Sequence, residues 1–224
     1  MSLIGSLISV VLGWILGQGT TLFRDFRTDR KLKKSLLLEL SDIQIQLYRT
    51  RLSFQRQIEL FSRHKIDPST QVQIKSYFFD HHYKDVFNKL NRDQRMSYQV
   101  IHESLKALNE MTEELRPVTL DCFQTILRNP KDPEIPIKFK LWGDQLNCLY
   151  SNARTIEWHI DYHLRNPKRP VLDQMGSTHQ SYLKFQESLK GEIETIKRNA
   201  QNIKEENLGK IYPNELFEGR DGSA

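Results

Sequence analysis

The first 23 residues, MSLIGSLISVVLGWILGQGTTLF, contain no charged side chain. A helix rises about 1.5 Å per residue, and roughly 20 apolar residues cross the hydrocarbon layer of a bilayer, so this segment restricts the chain more than any other feature. Between Leu3 and Leu16 it has no polar face, which a helix lying on a soluble core would carry. A cleaved signal would want a basic start and a small-residue cleavage box. No Lys or Arg precedes the run, and Gly17-Gln18-Gly19 makes a poor box. The expectation is an uncleaved transmembrane helix over residues 1–23.

Residues 24–34 follow with Arg24, Arg27, Arg30, Lys31, Lys33 and Lys34 against Asp25 and Asp29, a net charge of +4. A basic flank on one side of a span predicts that this side faces the cytoplasm, giving a single-pass membrane protein with its C-terminal bulk inside. The whole chain carries only +5, so everything outside the flank contributes +1. The pI of about 9.1 therefore belongs to the flank and does not indicate a basic groove for nucleic acid on the folded part. Two cysteines cannot build a multi-bridged scaffold, and in a reducing compartment Cys122 and Cys148 read as free thiols.

Glycine and proline punctuate the remainder. Neither occurs between Gly19 and Pro68, so the span and the first cytoplasmic helix are expected to form one rod to about His64, with Leu36, Leu40, Ile43, Leu47, Phe54 and Phe61 inward. A second helix is expected over Thr70–Leu90. A third runs over Arg92–Leu115, stopped by Arg116-Pro117, with a short helical piece over Val118–Leu127 after it. Proline at 130, 133 and 136 marks a loop. The next helix has the clearest period, Trp142, Leu146, Leu149, Ala153, Ile156, Ile160 and His163, a narrow seam suited to bundle packing. A last helix is expected over Ser177–Asn207. No alternating stretch long enough for a sheet occurs. The expected fold is all-α, with a cytoplasmic helical bundle over 35–210 and a flexible tail over 211–224.

Within the span, Gly5, Ser9, Gly13 and Gly17 recur every fourth residue. Small residues on one face let helix backbones approach closely in lipid, where apolar burial no longer drives association, so the row predicts a homo-oligomer packed through this face. Farther along, Arg154-Thr155-Ile156-Glu157-Trp158-His159 is an R-x4-H sequence on the fourth long helix. In metal-independent RNA cleavage an Arg balances phosphate charge while a His moves protons. Five residues place the two about 140° apart around a helix, and long side chains would have to close that angle. A surface ion pair for Arg154 and a seam-flanking His159 fit the same residues, and Arg95 with His102 shows a similar spacing by chance. His159 and His163, one turn apart, lack the Glu that a zinc-hydrolase helix carries after its first His. No metal and no cofactor is expected. No phosphate-binding loop, nucleophile elbow or CxxC pair occurs, so no nucleotide cofactor is expected either.

The uncharged anchor, the basic flank, the all-helical domain and the late R-x4-H together resemble the membrane-anchored accessory proteins of type VI-B CRISPR systems, which carry a divergent HEPN-like motif. That resemblance implies membrane lipid, copies of the same chain and an RNA-guided RNA-targeting effector, or its RNA, as partners. It implies a role in antiphage defence through a ring of subunits around a pore, with Arg154 and His159 at the HEPN-like positions. Thr155 follows the Arg where the nuclease pattern has Asn, Asp or His. The alternatives are a membrane-tethered ribonuclease and a non-catalytic membrane scaffold.

Overall fold

With neither glycine nor proline between Gly19 and Pro68 to break its hydrogen-bond ladder, α1 runs unbroken over Leu3–Ser62, 60 residues and about 90 Å long. The computed structural model describes residues 3–69, 71–173, 176–204 and 207. Side chains at 3–11, 15 and 21 lie outside that description, as does the tail expected over 211–224. Beyond α1 come α2 (Tyr77–Phe87), α3 (Arg92–Arg128), α4 (Ile135–Arg165) and α5 (Ser177–Ala200). The described residues thus form an all-helical bundle. Among them no helix is long and apolar enough to cross a membrane. Gly5 and Ser9 of the small-residue row are among the positions whose side chains are not described.

The core forms where α4 packs between α1 and α3, while α2 and α5 close against α1. Every member of the α4 seam is buried: Trp142, Leu146, Leu149, Ala153, Ile156, Ile160 and His163. From α1 come Leu36, Leu40, Ile43, Leu47 and Phe54, and from α3 Ile101, Leu105, Leu108 and Leu115, all buried as their spacing predicts. Phe61 is only partly buried, but its ring fixes the crossing of α1 and α4. A Cβ placed on the buried Gly143 would lie 2.2 Å from that ring. Glycine is what allows the two helices to meet at this point.

Three expected boundaries move, the first being that α5 ends at Ala200 rather than Asn207. Helix α2 begins at Tyr77 rather than Thr70, because residues 71–76 are held out of the helix by side-chain amides of α1 and α3. The Asn109 amide takes both backbone groups of Ile74, accepting from its N–H at 3.0 Å and donating to its carbonyl at 2.8 Å. Gln57 donates to the Ser69 carbonyl and Gln71 to the Ser53 hydroxyl. Val72 is consequently 84% exposed and not inward. Helix α3 does not stop at Pro117 but carries it on an exposed face and continues to Arg128. Proline removes one backbone bond, but Leu115, Thr119 and Cys122 are buried on either side of it, and packing against α4 outweighs that loss.

A further feature was not legible in the spacing. Ser76, which opens α2, gives no side-chain cap. The Glu39 carboxylate of α1 replaces it, accepting from the N–H groups of Phe78 at 2.5 Å and Phe79 at 2.9 Å. A carboxylate there satisfies two orphan donors and opposes the helix dipole.

Candidate functional site

Arg154 lies on the face of α4 turned toward α1 and α5. Its guanidinium is held by two carboxylates, Glu157 at 2.8 Å and Glu192 at 3.1 Å, and stands 5.7 Å from the Phe185 ring centre. Glu157 also takes the Arg51 guanidinium at 3.0 Å, and the Tyr150 hydroxyl donates to Glu192 at 2.5 Å. The chain of contacts, Arg51, Glu157, Arg154, Glu192, Tyr150, therefore ties α1 to α4 and α4 to α5. Burial first, and the Glu192 carboxylate second, push the Tyr150 phenol up, so it stays a neutral donor. Two cations face two anions, and little net charge is left to attract a phosphate.

His159 turns elsewhere. Its ring meets Trp158 edge-on at 5.1 Å and Tyr182 at 5.5 Å, its Nδ1 is buried without a hydrogen-bond partner, and burial lowers its pKa. A cleft of about 380 Å³ opens beside Arg51, Arg154, Glu157, Trp158 and Phe185, and His159 is not on its wall. The two residues of the R-x4-H sequence are not brought into one cleft. Arg154 works as a clamp between helices, and His159 belongs to the aromatic contact between α4 and α5. Glu157, which joins both arginines, is the residue that spacing could not reveal. The local pair with Arg154 was visible at i, i+3, but Arg51 lies 106 positions away.

Near the N-terminal end of α1, Gly13 and Gly17 are exposed, and a Cβ on either would meet nothing within 4 Å. The small-residue face is thus open over its described part. In the flank, Arg24, Arg27, Arg30, Lys31 and Lys34 are exposed and Lys33 is half-buried. Arg27 lies over the Phe23 ring at 4.4 Å. No family model, no curated protein and no solved structure matches this chain. Its function must be argued from its own residues. Cys122 is buried and Cys148 exposed, both free. Among the described residues no group of three His, Cys, Asp or Glu side chains could hold a metal ion.

The seam spacing placed His163 inward, but it did not show that His102 of α3 is buried near it. His163 Nδ1 is 2.8 Å from the Ser97 hydroxyl and its Nε2 has no partner. His102 stacks on Phe79 at 3.6 Å with both ring nitrogens unpartnered, and Tyr98 stands 4.4 Å from the His163 ring. Burial, with His163 adding repulsion, pushes His102 down to about 3, and burial pushes His163 down to about 4. Both are neutral in the fold. An unfolded histidine titrates near 6.5, so the stability they contribute is present above that pH and lost as pH falls from 6.5 toward their folded values. Burial pushes the Glu39 and Glu59 carboxyls up, an opposite effect that acts nearer the ordinary carboxylate range. Lowering the pH from 7 to 5.5 is expected to cost about 2 kcal/mol in urea unfolding, with His159 adding to the effect in the same direction, and His102→Gln is expected to remove part of that dependence.

Proposed function

We propose that this chain is a membrane-anchored accessory protein of antiviral defence. Residues 1–23 span the bacterial inner membrane, copies associate through the small-residue face, and the assembled spans open a pore that strengthens an RNA-guided RNA-targeting effector. One observation carries the reading: the helix that supplies one wall of the core continues past it with a bare apolar surface. Leu12, Trp14, Leu16, Leu22, Phe23 and Phe26 are 55–70% exposed. Exposed apolar residues are ordinary when scattered, but six within fifteen positions of one helix, next to an uncharged segment, mark a surface that lipid or another copy covers. Continuity between that surface and the core supplies the mechanism. Because α1 is one helix, any rotation imposed on the bundle by its neighbours is passed to the span without a hinge.

The experiment is potassium efflux from bacteria expressing the full chain together with the effector and its target RNA. Efflux is expected with the native chain and is expected to be largely lost in a Gly13→Leu, Gly17→Leu variant that still reaches the membrane, since bulky side chains block close helix approach. Efflux that persists unchanged in that variant would contradict packing through this face. Retained activity after residues 1–23 are exchanged for an unrelated span would favour a scaffold.

A further inference from the structure

Two segments far apart in sequence meet at the end of the bundle where α1 enters it. The turn that follows α2 places Lys89 there, 3.0 Å from Asp29 of the basic flank. Asn91 opens α3 with a reciprocal capping box and also donates through its amide to the Lys168 carbonyl at 2.7 Å, while Gln94 donates to the Pro167 carbonyl at 2.7 Å. These bonds hold the turn from α2 to α3 against the loop that follows α4. Arg169 lies 3.2 Å from Asp93 across that contact. Arg92 and Lys168 are exposed and have no acidic partner among the described residues. The opposite end of α1 meets the end of α5, where Arg63 donates to the Ala200 and Ile203 carbonyls. The orientation of the bundle along α1 is therefore defined.

The charge at this end is lopsided. Residues 84–95 and 165–173 hold seven Lys and Arg against three Asp, a net +4, equal to the flank itself. With both removed from the total of +5, the rest of the chain carries −3. From Phe23 to Asp29 is six residues, an axial rise of about 9 Å, which is comparable to a headgroup layer and to the roughly 8 Å Debye length of physiological salt.

We propose that the turn from α2 to α3 and the loop after α4 form a second anionic-lipid contact, in which Lys89, Arg92, Lys168 and Arg169 join the flank on phospholipid headgroups. This inference rests on residues 1–23 being the span. Lipid is favoured over RNA because the basic cluster is continuous with the flank and lies at the depth where headgroups are. A second surface contact beside α1 would hold the bundle upright, so that neighbouring copies present the same faces to one another.

The test uses the full chain in vesicles of phosphatidylcholine with and without phosphatidylglycerol. Amide hydrogen exchange over 88–95 and 166–172 is expected to slow several-fold in anionic vesicles, and the slowing is expected to vanish at high salt. It should also vanish in an Arg92→Glu, Lys168→Glu, Arg169→Glu variant whose helicity and core protection match the native chain. Equal exchange in both vesicle types would overturn the lipid contact while leaving the span intact. A chain that fails to float with either vesicle would overturn the span and this contact together. Slowing by single-stranded RNA in detergent, without any effect of anionic lipid, would assign the cluster to RNA and overturn the proposal.

Discussion

Replacing Gly143 with alanine is expected to cost about 3 kcal/mol of unfolding free energy, at the upper end of what one extra methyl does in a packed core. The added Cβ would fall 2.2–2.7 Å from three atoms of the Phe61 ring, well inside contact distance. That ring is held on two sides, although it also lines a cleft of about 550 Å³. It stacks on Phe139 at 4.9 Å and meets Trp142 edge-on at 6.1 Å, and Trp142 is itself pinned by a hydrogen bond to Thr119 at 3.0 Å. Relief comes either from turning the ring into that cleft, with loss of both ring contacts, or from separating α1 and α4, the pair around which the rest of the core is built. A compensating change on the other helix should identify the cause. Phe61→Leu in the alanine background is expected to recover part of the loss, although alone it destabilises. Additive losses in urea unfolding of the two single variants and the double variant would show that the contact does not limit the crossing.

A loss of similar size is expected from Glu157→Ala, for an electrostatic reason. Arg51 and Glu157 have side chains only 14% and 11% exposed, so their pair is largely shielded from water. Truncating the carboxylate leaves Arg51 without its partner and Arg154 with Glu192 alone. Removing one member of a buried pair costs about 3 kcal/mol, because the other charge is left behind desolvated. Arg154→Gln should cost less, about 1 kcal/mol, since Arg154 is more exposed and Glu157 keeps Arg51. The ordering separates a clamp from a catalytic charge. As a clamp, and on the proposed role in defence, Arg154→Gln retains phage protection wherever the variant is folded, and Arg154→Gln with His159→Ala leaves any RNA degradation by the system unchanged. As one half of a ribonuclease pair, either change would abolish cleavage with little effect on the unfolding midpoint.

Much of the bundle could be read from residue spacing because burial imposes period. Each seam residue of α4 and most of those on α1 and α3 lie inside, and the unbroken rod followed from the missing glycines and prolines between 19 and 68. Spacing failed where a distant side chain replaced a local signal. Asn109 kept residues 71–76 out of the helix, although Val72 and Ile74 followed by Tyr77 and Phe78 gave an apolar spacing compatible with one. Glu39 capped α2, which lacks a cap of its own. Pro117 marked a boundary that burial of its neighbours erased. The R-x4-H sequence illustrates the same limit from the functional side. Its spacing is compatible with a phosphate site, but whether the Arg is free depends on Glu192 and its i+3 neighbour Glu157, and the first of these comes from another helix. By contrast, the meeting of residues 88–95 with 166–170 is purely tertiary, and no local pattern could have announced that basic surface.

The central claim, that residues 1–23 lie in lipid and pack against copies of themselves, is tested most directly by the mass of the full chain extracted from bacterial membranes in mild detergent. It should resist extraction by alkaline carbonate and, once solubilised, migrate as a discrete oligomer that Gly13→Leu with Gly17→Leu dissociates. Recovery of intact chain in the soluble fraction, or a monomer in detergent at every protein concentration, would contradict it.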